Sequence, residues 1–354
     1  MNKTVTIDTQ APILVTGASG YVAGWLVKRL LEAGATVHGT VRDAQNTAKT
    51  APLLALAVGT PGTLNLFSAD LLTDGSFDEA MEGCNVVFHT ASPFTLDTQS
   101  DAQETFVTPA VNGTRNVLEA ANRTASVTRV VVTSSCAAIY GDAIDYKLTP
   151  NGRFTEDVWN TTSGLDYGGY SYSKTAAEQE AWKIAEAQDR WRLTTINPSL
   201  VMGPAVTGDT SSGSFDTLRM LGGGDLKWGA PRFGIGLVDV RDVAEAHIRA
   251  AFMDGAKGRH ITSAHNTNLV EMGLALRKRF SDYPLPKMAM PKLIFWLLGP
   301  IMGIPRKYIA GNVDIEMKID NTKSREQLGM VYRPMDETLN DMFEFAIAHG
   351  VLKN

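Results

Sequence analysis

The sequence predicts an α/β protein: a doubly wound parallel sheet with a smaller C-terminal lobe. Three observations carry that expectation. Short apolar runs alternate with helical patterns through the N-terminal half. The runs are apolar almost continuously, as strands covered on both faces are. The first run leads into Thr16-Gly17-Ala18-Ser19-Gly20-Tyr21-Val22-Ala23, a glycine-rich turn that opens a helix.

Ala11 to Val15 reads as the first strand. Val22, Trp25, Leu26 and Leu30 then fall at helical spacing. A glycine turn between strand and helix is a phosphate cradle, because backbone N–H groups and the helix dipole face the anion. Gly17 permits the turn, Gly20 lets a pyrophosphate approach, and Ala23 is the small residue where helix packs on strand. This is the Rossmann-type arrangement. Gly34 ends the helix. Strands follow at 35–41, 64–68, 85–90, 129–133 and 192–196, with helical patterns between them, notably Val111 to Asn122 and a helix begun near Tyr170. Leu237 to His247 reads as a short link into a helix that returns to the main domain, and Arg259 to Thr262 as a late strand. Residues 199–235 are rich in Gly, Ser and Thr, and most later prolines lie beyond Asn266. The two lobes therefore interleave. A dinucleotide-binding domain takes 10–198 and about 236–262; a substrate-binding lobe takes about 199–235 and 263–354.

Composition narrows the function classes. Charged residues make up 20% and hydrophobic residues 44% of the 354, an ordinary globular mix. The formal charge of −5 gives no footprint for nucleic acid or an anionic membrane. Cys84 and Cys136 lie in apolar runs, which suits a reduced, cytoplasmic setting better than a disulfide framework. The six histidines are scattered, so no metal site is expected. The run Leu293 to Leu298 is broken by Gly299-Pro300 and is far short of the roughly 20 residues a bilayer requires. It reads as a buried helix or an apolar pocket wall.

Chemistry is carried by Tyr170 and Lys174. Spacing of i, i+4 stacks both side chains on one helical face. An ammonium beside a phenol favours the phenolate, which suits an acid/base catalyst of alcohol–carbonyl exchange. Thr133-Ser134-Ser135 precedes the pair at the end of a central strand.

With these motifs in this order, the chain resembles the extended short-chain dehydrogenase/reductases. Within them it is most similar to the dihydroflavonol reductase, cinnamoyl-CoA reductase and aldehyde/ketone reductase branch. The resemblance runs from Ile13 to about Ala346. Its carriers include the glycine loop, Val41-Arg42-Asp43, Ala69-Asp70-Leu71, His89-Thr90-Ala91-Ser92-Pro93, Arg129 to Ser135, Tyr170 to Lys174 and Asn197-Pro198-Ser199-Leu200-Val201-Met202-Gly203-Pro204.

The resemblance implies that Tyr170 exchanges the proton, Lys174 supports it and holds the nicotinamide ribose, and Ser135 bonds the substrate carbonyl. Ser134 in place of Ser135, and Tyr172 in place of Tyr170, stay open. It implies a dinucleotide held by Gly17, Ser19, Gly20, Tyr21 and Val22, by Asp70 and Leu71 at the adenine, by Thr90, Ala91, Ser92 and Thr133 along the crevice, and by Pro198, Ser199 and Val201 at the nicotinamide end. Arg42 ends the second strand where arginine suits a 2′-phosphate, and Lys49 matches a second basic position. NADP(H) is therefore favoured over NAD(H). Phe94, Tyr140, Phe215, Trp228 and Phe233 are candidate pocket walls for an apolar or aromatic carbonyl substrate.

Tyr140 stands where dihydroflavonol reductases carry an asparagine, which argues against flavonoid specificity. Ala110 stands where sugar-nucleotide epimerases carry one, and basic residues are sparse between Val201 and Ile235. The implied activity is NADP(H)-dependent reduction of an aldehyde or ketone by a monomer or homodimer. A sugar-nucleotide epimerase or dehydratase, a hydroxysteroid-type dehydrogenase and a non-catalytic dinucleotide sensor remain as alternatives.

Overall fold

The computed structural model describes residues 5–92, 101–208 and 210–352. Its strands are β1 (Ile13–Thr16), β2 (Thr36–Val41), β3 (Thr63–Ser68), β4 (Val86–His89), β5 (Arg129–Thr133), β6 (Arg192–Pro198), β7 (Leu200–Met202), β8 (Ile235–Asp239), β9 (Gly258–Thr262) and β10 (His265–Thr267). Seven of them form one sheet in the order β3-β2-β1-β4-β5-β6-β9. Every pairing in it is parallel. These are the seven strands expected from the sequence. The chain runs outward from β1 to β3, then crosses to β4 on the other side of β1. At such a reversal the loops after the two central strands part and leave a crevice at their C-terminal ends.

Alternation along β1 builds both faces. Ile13 and Val15 join one core, and Leu14 the opposite one. On the first face lie helices Tyr21–Glu32 and Val240–Phe252. Leu26, Val27, Leu30 and Leu31 of the former are fully buried, each stabilising by roughly 1.5–3 kcal/mol. On the second face, helices Thr108–Arg123 and Gly169–Glu186 contribute Val117, Leu118, Ala181 and Ile184.

Residues 237–239, expected as a short link, belong instead to strand β8 (Ile235–Asp239). The small sheet runs β10-β8-β7, with β8 parallel to β7 and antiparallel to β10. Asp239 ends β8 and accepts from the Arg241 N–H at 2.8 Å, so strand becomes helix within one residue. The core beside this sheet includes Phe215, Leu218, Met272, Leu276, Leu339 and Phe343.

The apolar run at 293–298 departs from expectation. It forms helix Lys292–Leu298, in which only Phe295 is buried. A short helix that is apolar all round can bury one stripe, and Phe295 with Ile309 and Val313 fills that stripe. Among the described residues, no helix is long and apolar enough to cross a membrane.

Candidate active site

The crevice begins at the turn after β1. Gly17 adopts φ +63°, and a Cβ there would stand 3.0 Å from the Ala91 Cα. Both the left-handed backbone and the close approach require glycine. The Gly17 and Ala18 N–H groups bond Thr40, fixing the turn to β2. Helix Tyr21–Glu32 starts behind Gly20 with no side-chain cap, so its first-turn N–H groups face an anion site. Thr16 ties this turn to the β4 loop. Its Oγ1 accepts from the Thr90 and Ala91 N–H groups, both at 3.1 Å. With those lone pairs used, its own proton goes to His89 Nδ1 at 3.0 Å.

A cleft of about 560 Å³ extends from here toward β2 and β3. Gly17, Ser19, Gly20, Arg42, Asp70, Leu71, Thr90, Ala91 and Ser92 all line it. Arg42 is exposed at its rim. Asp43 is turned back onto its own chain, accepting from the Gln45 N–H at 2.9 Å. Asp70 is oriented in the same way by the Leu72 N–H at 2.8 Å.

A second cleft of about 350 Å³ shares Gly20, Thr90 and Ser92 with the first, so the two are stretches of one crevice. Tyr21, Val22, Thr133, Tyr170 and Lys174 line it. Tyr170 sits at the second residue of helix Gly169–Glu186 and is 47% exposed, so its phenol is open to a ligand. The helix enters through Gly168 at φ +72°, where a side chain would strain the backbone. Lys174 lies one turn on. Its Nζ stands 5.6 Å from the Tyr170 ring centroid and donates to Ser92 Oγ at 2.7 Å.

Ser134 and Ser135 separate cleanly. Ser134 is buried and donates to Glu178 Oε2 at 2.5 Å. Ser135 is half-buried, and its Oγ accepts from the Ala137 N–H at 3.1 Å, capping the turn Cys136–Ala138. Ser135 is not among the wall residues of either cleft. Tyr172 is half-buried on the same helix and lines neither cleft.

Behind the Tyr170–Lys174 pair lies a buried network that sequence reasoning missed. Glu178, one turn beyond Lys174, has a fully buried side chain. Besides Ser134 it accepts from Thr195 Oγ1 (2.9 Å), Asn197 Nδ2 (2.7 Å) and Arg259 Nε (2.7 Å). Arg259 also donates to the Glu156, Val158 and Ala138 carbonyls and stacks 3.8 Å from the Trp159 ring. Asn197 reaches the Ser135 carbonyl at 3.2 Å. The helix carrying Tyr170 is thus fastened to β5, β6 and β9. The available signal was a glutamate at i+4 from Lys174 and an arginine within a late apolar strand.

Two buried histidines flank the same end. His247 Nδ1 donates to the Val243 carbonyl at 2.8 Å, so its Nε2 accepts the Thr133 hydroxyl at 2.6 Å. Burial pushes His247 down to about 4. Burial, and then the Lys174 charge, pushes His89 down to about 3. Both rings are neutral near pH 7. Thr133 therefore turns its lone pairs, not its proton, toward the cleft.

Several expected residues lie elsewhere. Lys49 is exposed on helix Thr47–Leu54 and lines neither cleft. Pro198 is buried at the end of β6, Ser199 Oγ is buried without a partner, and Val201 packs on the main core. None of the three lines either cleft. Tyr21 lines the crevice, but its hydroxyl is spent on the Gly203 carbonyl at 2.5 Å. Of the candidate substrate walls, Tyr140 stacks on Phe154 in a separate core, with ring centroids 4.4 Å apart. Phe215 is fully buried in the lobe core, Phe233 packs on Phe295 and Tyr308, and Trp228 is 82% exposed. Aromatic side chains in this lobe fill its own small cores before they reach the crevice. Phe94 lies outside the described residues. Among those described, no group of three or more His, Cys, Asp or Glu is placed to hold a metal.

Known proteins share this architecture. Tetraketide alpha-pyrone reductase 1 of Arabidopsis thaliana is 40% identical over 284 residues, 79% of this chain and 84% of that protein. Gre2 of Candida albicans, solved in complex with NADPH, is 30% identical and superposes with a TM-score of 0.76 over 96% of this chain and 99% of its own. The yeast methylglyoxal/isovaleraldehyde reductase Gre2, also complexed with NADPH, is 27% identical with a TM-score of 0.78 over 96% of this chain and all of that one. The NAD dependent epimerase/dehydratase family matches residues 13–262, from the first residue of β1 to the last of β9. The chain is a member of that family, within the extended short-chain dehydrogenase/reductases.

Proposed function

We propose that the chain is an NADP(H)-dependent carbonyl reductase that converts an aldehyde or ketone to an alcohol and runs in reverse as an alcohol dehydrogenase. The observation that carries this reading is the single crevice. It has Arg42 at one end, an uncapped glycine turn in the middle and the Tyr170–Lys174 pair at the other. The residues present suit the cofactor. Gly17 leaves room where a Cβ would meet Ala91, the helix start faces the pyrophosphate, and Arg42 suits a 2′-phosphate. Bound NADPH supplies the hydride.

The chain's own residues supply the proton and the positioning. Tyr170 gives its phenolic proton to the carbonyl oxygen as the carbon–oxygen double bond becomes single, and takes it back in oxidation. Lys174, held by Ser92, keeps a positive charge beside the phenol and stabilises the phenolate left behind. Ser135 lines neither cleft, but its Oγ accepts from the Ala137 N–H and keeps its own proton, which supports it as the donor to the carbonyl oxygen that the resemblance implies. The buried Glu178–Arg259 network acts through position, holding the Tyr170 helix against β5. The expected substrate is an apolar or aromatic carbonyl compound; the yeast relative is a methylglyoxal/isovaleraldehyde reductase.

The test is a panel of aldehydes and ketones with NADPH and NADH consumption followed in parallel. Stoichiometric NADPH consumption is expected, with little cofactor retained through purification. Protein that keeps NAD through extensive dialysis, consumes no NADPH across the panel and interconverts nucleotide sugars is instead an epimerase. The fold and the proton chemistry of Tyr170 would survive that result.

A further inference from the structure

We propose that the segment 287–307 docks the protein on an anionic phospholipid surface. Helix Lys292–Leu298 and the turn after it expose Leu293 (69%), Ile294 (46%), Trp296 (38%), Leu297 (55%), Leu298 (45%) and Ile301 (84%). Scattered apolar residues on a surface need no explanation, but a contiguous patch of this kind marks an interface. Phe295 anchors the helix from below, edge-on to Phe233 with centroids 5.5 Å apart, so the exposed face is presented by a fixed element.

Charge selects the occupant. From Pro284 to Val313 the chain carries Lys287, Lys292, Arg306 and Lys307 and no acidic residue, although the whole chain is at −5. Lys287, Arg306 and Lys307 are exposed. The Arg306 guanidinium lies 4.2 Å over the Trp296 ring, which holds that cation beside the patch, while Lys307 Nζ lies 3.8 Å over the Tyr167 ring. Apolar side chains with a tryptophan, rimmed by cations, match the boundary between acyl chains and anionic headgroups. A second copy fits less well. A two-fold contact would bring this segment against itself, cation facing cation, with no acid in it to neutralise them. This inference goes beyond the reductase reading and does not depend on it.

Co-sedimentation tests it. The intact protein is mixed with vesicles of phosphatidylcholine and phosphatidylglycerol in equal parts, or of phosphatidylcholine alone. Binding to the anionic vesicles is expected to exceed that to neutral ones by about tenfold or more and to weaken as salt rises. Leu293→Asp with Ile301→Asp, both exposed sites, should abolish pelleting with no change in thermal midpoint. Lys287→Gln with Arg306→Gln should lose the preference for anionic vesicles. Wild-type protein left in the supernatant with both vesicle types overturns the proposal. So does equal pelleting by the Asp variant. Dimers that the Asp variant disperses, without vesicle binding, would assign the patch to a second copy. A raised Michaelis constant for an apolar aldehyde in that variant, again without vesicle binding, would assign it to the substrate.

Discussion

The two ends of the crevice are held in opposite ways. At the Arg42 end, the groups that face the cleft are set by turns a few residues long. Gly17 shapes the turn after β1, Asp70 is set by the backbone two residues on, and beside Arg42 the Asp43 carboxylate is turned away in the same manner. Arg42 itself stands exposed. At the Tyr170 end, position comes from below. Glu178 and Arg259 are 81 residues apart in sequence, buried and joined at 2.7 Å, and they draw three strands and a helix together. The first end, in the proposed function, would read a phosphate with side chains that solvent reaches. The second must hold a phenol and an ammonium in register, and it does so with groups that solvent never meets. Damage should therefore appear as lost affinity at one end and as lost stability or turnover at the other.

Glu178→Ala should break this contrast most severely. It leaves the Arg259 guanidinium buried without its carboxylate, which costs about 3–5 kcal/mol. Urea unfolding measures it, with Arg42→Ala as the control expected within about 0.5 kcal/mol of wild type. A loss below about 1 kcal/mol for Glu178→Ala would mean that the network does not hold the catalytic end.

Tyr170→Phe keeps the ring and removes the transferable proton. Turnover should fall at least about 100-fold, with NADPH affinity and unfolding midpoint unchanged. The half-buried Tyr172 supplies the counter-experiment. If Tyr172→Phe is inactive and Tyr170→Phe is not, the proton passes through the other ring.

Arg42→Ala probes the exposed end. The charge-assisted bonds it removes are worth about 1.5–3 kcal/mol. The Michaelis constant for NADPH should rise accordingly, by about 10- to 100-fold, while that for NADH stays put. Equal changes for both cofactors would show that Arg42 supports the loop and does not read the phosphate.

Acid should sharpen the comparison with the smallest effect per group. His89 lies near 3, and His247 and His260 near 4, each lowered first by burial, against about 6.5 in the unfolded chain. Below pH 6.5 the unfolded chain takes up protons that the folded chain refuses. Stability is thus complete above that value and falls with pH, by up to about 1.4 kcal/mol per unit for each ring. Asp242, pushed up to about 6 by burial, and Glu156, raised by burial, work the other way. Those carboxyls keep protons that the unfolded chain gives up, but the three histidines outnumber them. The thermal midpoint should drop between pH 7 and pH 5, and His247→Asn should flatten that slope. An unchanged midpoint in the wild type would sink the assignment of these rings as neutral and buried.

Short-range pattern alone determined the seven-stranded sheet, the glycine turn after Ile13 to Thr16, the pairing of Tyr170 with Lys174 and the place of Arg42 at the end of β2. Each follows from spacing within one strand, one turn or one helix, where covalent geometry fixes which side chains share a face. Tertiary structure alone decided which of Ser134 and Ser135 is committed to a buried carboxylate, how Thr133 turns its proton toward His247, and that Glu178 meets Arg259. It also sent Tyr140, Phe215 and Phe233 into separate cores and left Trp228 and the 293–298 helix facing solvent. Apolar composition says that a side chain prefers burial but not against what. The partner is chosen by whichever distant surface the fold brings within a few ångströms, and no spacing along the chain records that distance.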